Sequence, residues 1–316
     1  MKKYLYLGLI VLVVVMVYGT YDYCTVTSDT IVVGYLPSNH HSALFVANVK
    51  GMYEKEGLKV QMVPFKNGAD MIDAANKNQL DVGFCGVTPI TSSIDKNSTI
   101  KIVAPANEEG SGIVVQNGSN ITNLTDLEGK NVLEPGPGSM QDVLLRYMLM
   151  ENNISTSNIN ISQFEVPLMQ EALSNDRASA YMAWEPYVTQ ANLTGEDDVL
   201  IYSSEIWDDH PCCVIFATQN MMTKKQDQLR KFLKVHMEAT DYINENLNES
   251  SIIVSNKLGT NNIIELASMQ HVKFIAQPNT DYDNNLLKLV SLQQQFGYVK
   301  NNLTLTQIVD YNFRPN

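Results

Sequence analysis

Cysteine is scarce in this chain. Four occur in 316 residues: Cys24, Cys85, Cys212 and Cys213. So few, spaced so unevenly, make no disulfide framework, and no pair has the spacing of a zinc ribbon or finger. The adjacent Cys212 and Cys213 could bridge each other only with strain. Strand geometry would turn them to opposite faces, one into the core and one near a cleft. Positive charge is also in short supply, with 22 Lys and Arg against 34 Asp and Glu and a formal net charge of −12. A nucleic-acid binder needs a basic face, so that class is excluded. The acidic excess is read as a solvated surface. Internal repeats of solenoid period and low-complexity tracts are missing too.

The longest apolar run is confined to the start. Lys2 and Lys3 precede an apolar stretch from Tyr4 to about Gly19, a basic region followed by an apolar one, as in a secretory signal. About 15 apolar residues fall short of the roughly 20 that a spanning helix needs. No small-x-small cleavage site follows, and the residues before Cys24 make a poor lipidation site. Cleaved, lipidated and retained forms stay open, and all three leave the remaining chain outside the membrane. Residues 1–24 are therefore set apart as a signal or anchor, with membrane contact expected through them alone. Nine Asn-x-Ser/Thr sequons, at Asn97, Asn117, Asn120, Asn123, Asn153, Asn160, Asn192, Asn248 and Asn302, fit export. If glycosylated, they mark surface loops.

What the chain does have is alternation. Apolar residues make up 44%, enough for two lobes with separate cores. Strand-like runs at 31–35, 58–63 and 81–86 alternate with helix-like runs, giving βαβαβ, and each strand ends in small or polar residues. Such units build open α/β sheets whose ligands sit outside the carboxyl ends of the strands.

Particular residues in this stretch carry a family pattern: Ala43-Leu44-Phe45-Val46-Ala47, Lys50-Gly51-Met52-Tyr53, Glu56-Gly57-Leu58-Lys59-Val60 and Leu80-Asp81-Val82-Gly83. A second block reads Ala183-Trp184-Glu185-Pro186-Tyr187. Together they resemble the solute-binding proteins of ABC importers, of the nitrate/sulfonate/taurine type and the related thiamine-pyrimidine binders. The resemblance implies an α/β, two-lobed periplasmic-binding-protein-like fold (type II) over roughly residues 30–300, with the ligand cleft between the lobes. Lobe I is then 25–110 plus 214–316 and lobe II is 111–213, with crossovers near 104–116 and 211–219. Glycines at the first crossover allow hinge motion. Lobe II strands are expected at 131–134, 162–166, 178–182 and 199–202. Later helices at 225–246 and 283–296 pack on lobe I, with His236 and His271 read as structural.

Three strand-to-helix turns and one further block supply the candidate ligand residues. Turn one holds Ser38, Asn39, His40 and His41 ahead of a helix whose free N–H groups suit an anion or polar head group. Turn two is Gly86, Val87 and Thr88; its glycine allows close backbone approach. Turn three is Gly138, Ser139 and Met140, in a glycine-rich stretch that lacks both the Walker ending and the G-x-G-x-x-G spacing. Glu134 at its base would oppose an anion, depending on its orientation. Trp184 offers a flat wall and Glu185 an acceptor. His210, with Asp208 and Asp209, is placed on the hinge side. Histidine is a common metal ligand, but two adjacent histidines with no nearby acidic or cysteine spacing are weak evidence for a site, and no metal is expected.

The resemblance implies binding and delivery of a small polar solute to an ABC permease and its ATPase by hinge closure, by a monomer with no cofactor. A small sulfonate, taurine or nitrate is the first expectation, and a thiamine-pyrimidine or other heteroaromatic the second. Pyrimidine synthases that resemble the family use a histidine, a lysine-bound pyridoxal phosphate and a cysteine-rich iron motif. This chain has only Cys212-Cys213 and an export signal, so an enzyme is not expected. An anchored ligand sensor is a further alternative.

Overall fold

The computed structural model describes residues 30–315. The signal or anchor segment, with Cys24 and the expected membrane contact, lies outside the described residues. Among the described residues, no helix is long and apolar enough to cross a membrane.

Among the described residues, eleven strands form two sheets. The first is built from β1 (Thr30–Tyr35), β2 (Lys59–Pro64), β3 (Val82–Gly86), β4 (Lys101–Glu109), β10 (Pro211–Ala217) and β11 (Val272–Phe274), in the order β11-β4-β10-β3-β1-β2. The second uses β5 (Ser111–Gln116), β6 (Asn131–Glu134), β7 (Asn160–Gln163), β8 (Ala180–Trp184) and β9 (Asp197–Tyr202), in the order β7-β6-β8-β5-β9. The sequences explain the order. β3 and β10 are apolar or small at every position and wholly buried, as strands covered on both faces must be. β2 alternates charged or polar with apolar residues, and its burial alternates with it at the sheet edge. Gly83 is required in β3, because a Cβ there would meet the Phe216 ring at 2.4 Å and Met71 Sδ at 2.8 Å.

Helices cover both faces. Gln226–Glu245 buries Leu229, Phe232, Leu233, His236, Thr240 and Ile243, the stripe its spacing predicts. Phe232 stacks on Tyr53 at 5.3 Å between ring centroids and meets Phe84 at 6.3 Å. His236 Nε2 bonds the Pro105 carbonyl at 2.8 Å, and burial lowers its pKa to about 4, so it is a neutral core histidine.

The chain leaves the first sheet at Gly110 (φ +81°), the one residue between β4 and β5, which follows the likewise left-handed Glu109 (φ +63°). It returns along β10. Pro211 and Cys213 already pair with Glu108 and Asn107, so the first sheet takes up residues before the 213/214 boundary drawn from sequence. Two second-sheet strands also lie apart from their expected positions. β7 starts at Asn160, in register with Asn131, and the chain has turned into a short helix by Val166–Leu168. β8 runs on to Trp184, because Ser111 to Val115 of β5 pair with it that far.

Candidate functional site

The carboxyl ends of β1, β2 and β3 face those of β6, β7 and β8 across a cavity of about 770 Å³. Short polar residues cap the elements that open onto it. Ser38 Oγ accepts from His40 N at 3.2 Å, Asn67 Oδ1 from Asp70 N at 2.9 Å, and Ser139 Oγ from Asp142 N at 3.1 Å. Ser38 Oγ also donates to the Glu185 carbonyl at 3.1 Å, so a cap on one sheet touches the other.

Eight of the sequence candidates line this cavity: Ser38, His40, His41, Gly86, Gly138, Ser139, Met140 and Trp184. Five do not, each for a local reason. Asn39 is buried and donates to Ser268 Oγ at 2.9 Å. Val87 is core, and Thr88 gives its carbonyl to Gln293 Nε2 at 2.9 Å. Glu185 turns inward to cap the next helix, accepting from Thr189 N at 3.0 Å and Thr189 Oγ1 at 2.7 Å. His210 is buried with Nε2 2.8 Å from Ser203 Oγ, and Asp208 and Asp209 pair outside with Lys273. Sequence reasoning missed Asn67 and Gly68, although an N-cap and glycine after a strand carry the same signal as the other turns. It also missed Gln163 and Tyr298, and nothing in the local sequence marks Tyr298 as reaching the cleft.

Turn three binds its own donors. Glu134 accepts from Gly136 N and Ser139 Oγ, and Asp142 accepts from Gly138 N at 2.8 Å. Those N–H groups are spent inside the loop, which weakens its use as an anion seat. Burial pushes Glu134 up to about 7.

Two cavity-lining residues each keep one buried polar atom without a partner. Trp184 and His41 line the cavity, and Trp184 Nε1 and His41 Nε2 are buried without a partner among the described residues. Burial, and then His40, lower His41 to about 3, so its ring is neutral. Its Nδ1 lies 3.1 Å from Leu36 N and 3.2 Å from the Leu36 carbonyl, accepting from the first or donating to the second according to the tautomer. The cavity-lining residues therefore hold one neutral indole N–H and one neutral imidazole nitrogen without a partner. Among the described residues Lys96, exposed, is the one Lys or Arg that lines the cavity. Burying an unmet polar atom is costly, so a ligand partner at either atom would be favoured.

His40 meets the adjacent cysteines. Its Nε2 donates to the Gly110 carbonyl at 2.9 Å, while Nδ1 lies 3.4 Å from Cys212 Sγ and 3.6 Å from Cys213 Sγ. The expectation that the two thiols point apart is corrected: register shifts on either side of Cys213 bulge the strand, and both sulfurs reach one imidazole. Burial, the largest single effect, lowers the His40 pKa, and the Cys212 sulfur, the Gly110 carbonyl and Glu185 together outweigh it and raise it. The hydrogen bond from Cys213 holds Cys212 well below the ordinary thiol range. The ligand atoms of His40, Cys212 and Cys213 lie within 4.8 Å of one another, a soft donor set that could hold a thiophilic metal ion.

Two facing α/β lobes with a cleft at the carboxyl ends of their strands define the class: this is the two-lobed binding-protein fold. The chain belongs to the NMT1-like family, whose profile matches residues 26–255. A Bacillus subtilis (strain 168) protein named for binding aliphatic sulfonates is 24% identical over 220 residues, covering 68% of this chain and 66% of that one. A Saccharomyces cerevisiae 4-amino-5-hydroxymethyl-2-methylpyrimidine phosphate synthase is 21% identical over 225 residues, with the same coverage. The chain thus spans just under two thirds of the length of these relatives. Among solved structures, the ligand-binding component of an ABC-type import system from Staphylococcus aureus, with zinc bound, superposes with a TM-score of 0.81 at 21% identity. That match covers 90% of this chain and 97% of the other.

Proposed function

We propose that this protein is an extracytoplasmic solute-binding protein that delivers a small polar solute to an ABC permease and its ATPase by closing its lobes around it. The observation that carries this reading is the cavity between the two sheets, with Ser38, His41 and Gly86 on one side and Ser139 and Trp184 on the other. A ligand touching both walls stabilises the closed arrangement over the open one, which is how binding becomes a signal to a membrane partner. The name of the Bacillus protein supports a small sulfonate or similar compound as the solute. Micromolar affinity corresponds to about 8 kcal/mol, within reach of an indole donor, an imidazole nitrogen, helix-end N–H groups and an aromatic wall.

A second reading has its own observation. The unpartnered Trp184 Nε1 and His41 Nε2 are neutral, and among the described residues only one Lys or Arg lines the cavity, which suits a neutral heteroaromatic with polar ring atoms, such as a pyrimidine. The name of the yeast relative points the same way. An enzyme is the weaker reading; among the described residues, the grouping beside the cavity that most resembles catalytic machinery is His40 with Cys212 and Cys213.

Thermal shift of the full chain against alkanesulfonates, taurine, nitrate, pyrimidines and divalent metals tests the reading. A ligand at 100 times its Kd adds about 2.7 kcal/mol to folding and raises the melting temperature. A shift confined to sulfonates or to pyrimidines selects between the two readings. A shift with metal ions alone would count against both.

A further inference from the structure

The nine sequons are not scattered at random over the fold. With 40 serines and threonines in 316 residues, 31 asparagines would form about four sequons by chance, and the chain has nine. All nine asparagines are exposed. Six of them, Asn117, Asn120, Asn123, Asn153, Asn160 and Asn192, lie within the part of the chain that builds the second sheet.

The topology of that sheet collects all six at one end. β6, β7, β8 and β9 run parallel to one another, and β5 runs against them. Their cleft ends are Glu134, Gln163, Trp184, Tyr202 and Ser111, of which Gln163 and Trp184 line the cavity. The opposite ends are Asn131, Asn160, Ala180, Asp197 and Gln116. Asn117, Asn120 and Asn123 follow Gln116. Asn153 follows the helix Met140–Glu151, which starts at the cleft and runs away from it. Asn160 opens β7, and Asn192 sits in the last turn of Tyr187–Thr194, which also starts at the cleft. These segments touch: Asn117 Nδ2 donates to the Gly195 carbonyl at 3.3 Å, and Asn160 N to the Lys130 carbonyl at 2.9 Å. None of the six lines the cavity, whereas Asn97 of the first lobe does.

We propose that the pole of the second lobe remote from the cleft carries N-linked oligosaccharides, at the loop asparagines Asn117, Asn120 and Asn153 above all. The donor is a lipid-phosphate-linked oligosaccharide presented by a membrane transferase. The asparagine side-chain nitrogen forms a bond to the anomeric carbon. The anomeric carbon–oxygen bond to phosphate breaks, the lipid phosphate leaves with the electron pair, and the amide proton passes to a base on the transferase. The hydroxyl two residues on is what the transferase reads; Ser119 Oγ is buried and makes no hydrogen bond among the described residues, so no bond within the fold has to break for it to be read. A bulky hydrated sugar at this pole leaves both walls of the cleft bare. The assignment does not depend on the identity of the solute.

Peptide mass spectrometry on the full chain, purified from the cells that naturally make it, tests the proposal. Peptides holding Asn117, Asn120 and Asn153 should be heavier by whole sugar units and release sugar fragment ions. Ser119→Ala, expressed in the same cells, should lose the Asn117 modification alone and keep its melting temperature. Unmodified masses at all three positions would overturn the proposal, as would sugar found only at Asn97, Asn248 or Asn302.

Discussion

Gly110→Ala concentrates the consequences of the fold in one methyl group. Gly110 is the residue between β4 and β5, where the chain first passes from one sheet to the other, and its φ of +81° is left-handed. Holding a residue with a Cβ there costs about 1 kcal/mol. The added Cβ would lie 2.4 Å from His40 Nε2 and 2.9 Å from Val272 Cγ2. The imidazole has little room to retreat, because it is buried between the Gly110 carbonyl and the Cys212 and Cys213 sulfurs. Displacing it breaks the 2.9 Å bond to that carbonyl and strands a buried N–H, at about 1–3 kcal/mol. The carbonyl itself keeps Glu185 N as a partner at 2.9 Å. The total is about 2–4 kcal/mol. Gly195→Ala supplies the control: its φ is +72°, but nothing lies within 4 Å of a Cβ there, so it should cost about 1 kcal/mol from backbone alone. Denaturant midpoints at unchanged slope report both. If Gly110→Ala costs no more than Gly195→Ala, the packing of His40 against the crossover is wrong.

Three further outcomes follow from individual side chains. Burial pushes Glu185 up to about 7 against its two bonds from Thr189. The folded pKa is raised, so this group's contribution to stability is full below about pH 4.5 and is lost as pH rises through 7, by up to about 3 kcal/mol. Glu185→Gln should flatten that part of the decline in melting temperature between pH 5 and 8, and an unchanged slope would contradict it. Trp184→Phe removes an indole N–H that has no partner in the fold. Ligand affinity should fall about fivefold to thirtyfold while the melting temperature holds, both read on the same preparation. Lys288 Nζ lies 4.1 Å from the Trp207 ring centroid and donates to Tyr147 Oη at 2.9 Å, joining the helix Thr280–Gln295 to the second lobe. Lys288→Met should cost about 1 kcal/mol and change the Trp207 emission; unaltered emission would contradict the contact.

Much of this architecture is legible in the sequence because strands buried on both faces announce themselves. Val82-Gly83-Phe84-Cys85-Gly86 is a short unbroken run of apolar and small residues, and the stripe from Leu229 to Ile243 carries a clear helical period. The strand ends at 160–163 and 180–184 were less legible, since their limits are set by partners far along the chain. The site follows the same division. Capping residues after strands mark Ser38, Gly86 and Ser139 locally, whereas the inward turn of Glu185 depends on Thr189 and the burial of His210 on Ser203. The meeting of His40 with both thiols needed a bulge at Cys213 that no local signal encodes. Tyr298 reaches the cavity only because the C-terminal segment folds back across the cleft.

Calorimetric titration of the full chain with an alkanesulfonate, beside the same titration of Trp184→Ala, addresses the cleft most directly. One ligand per chain at micromolar affinity or tighter, lost in the variant, is the outcome expected of a solute held between the lobes. Heat that persists unchanged in Trp184→Ala would place the ligand outside this cleft. The absence of heat with sulfonates and pyrimidines alike, from folded protein, would contradict the assignment of the cavity as a solute site.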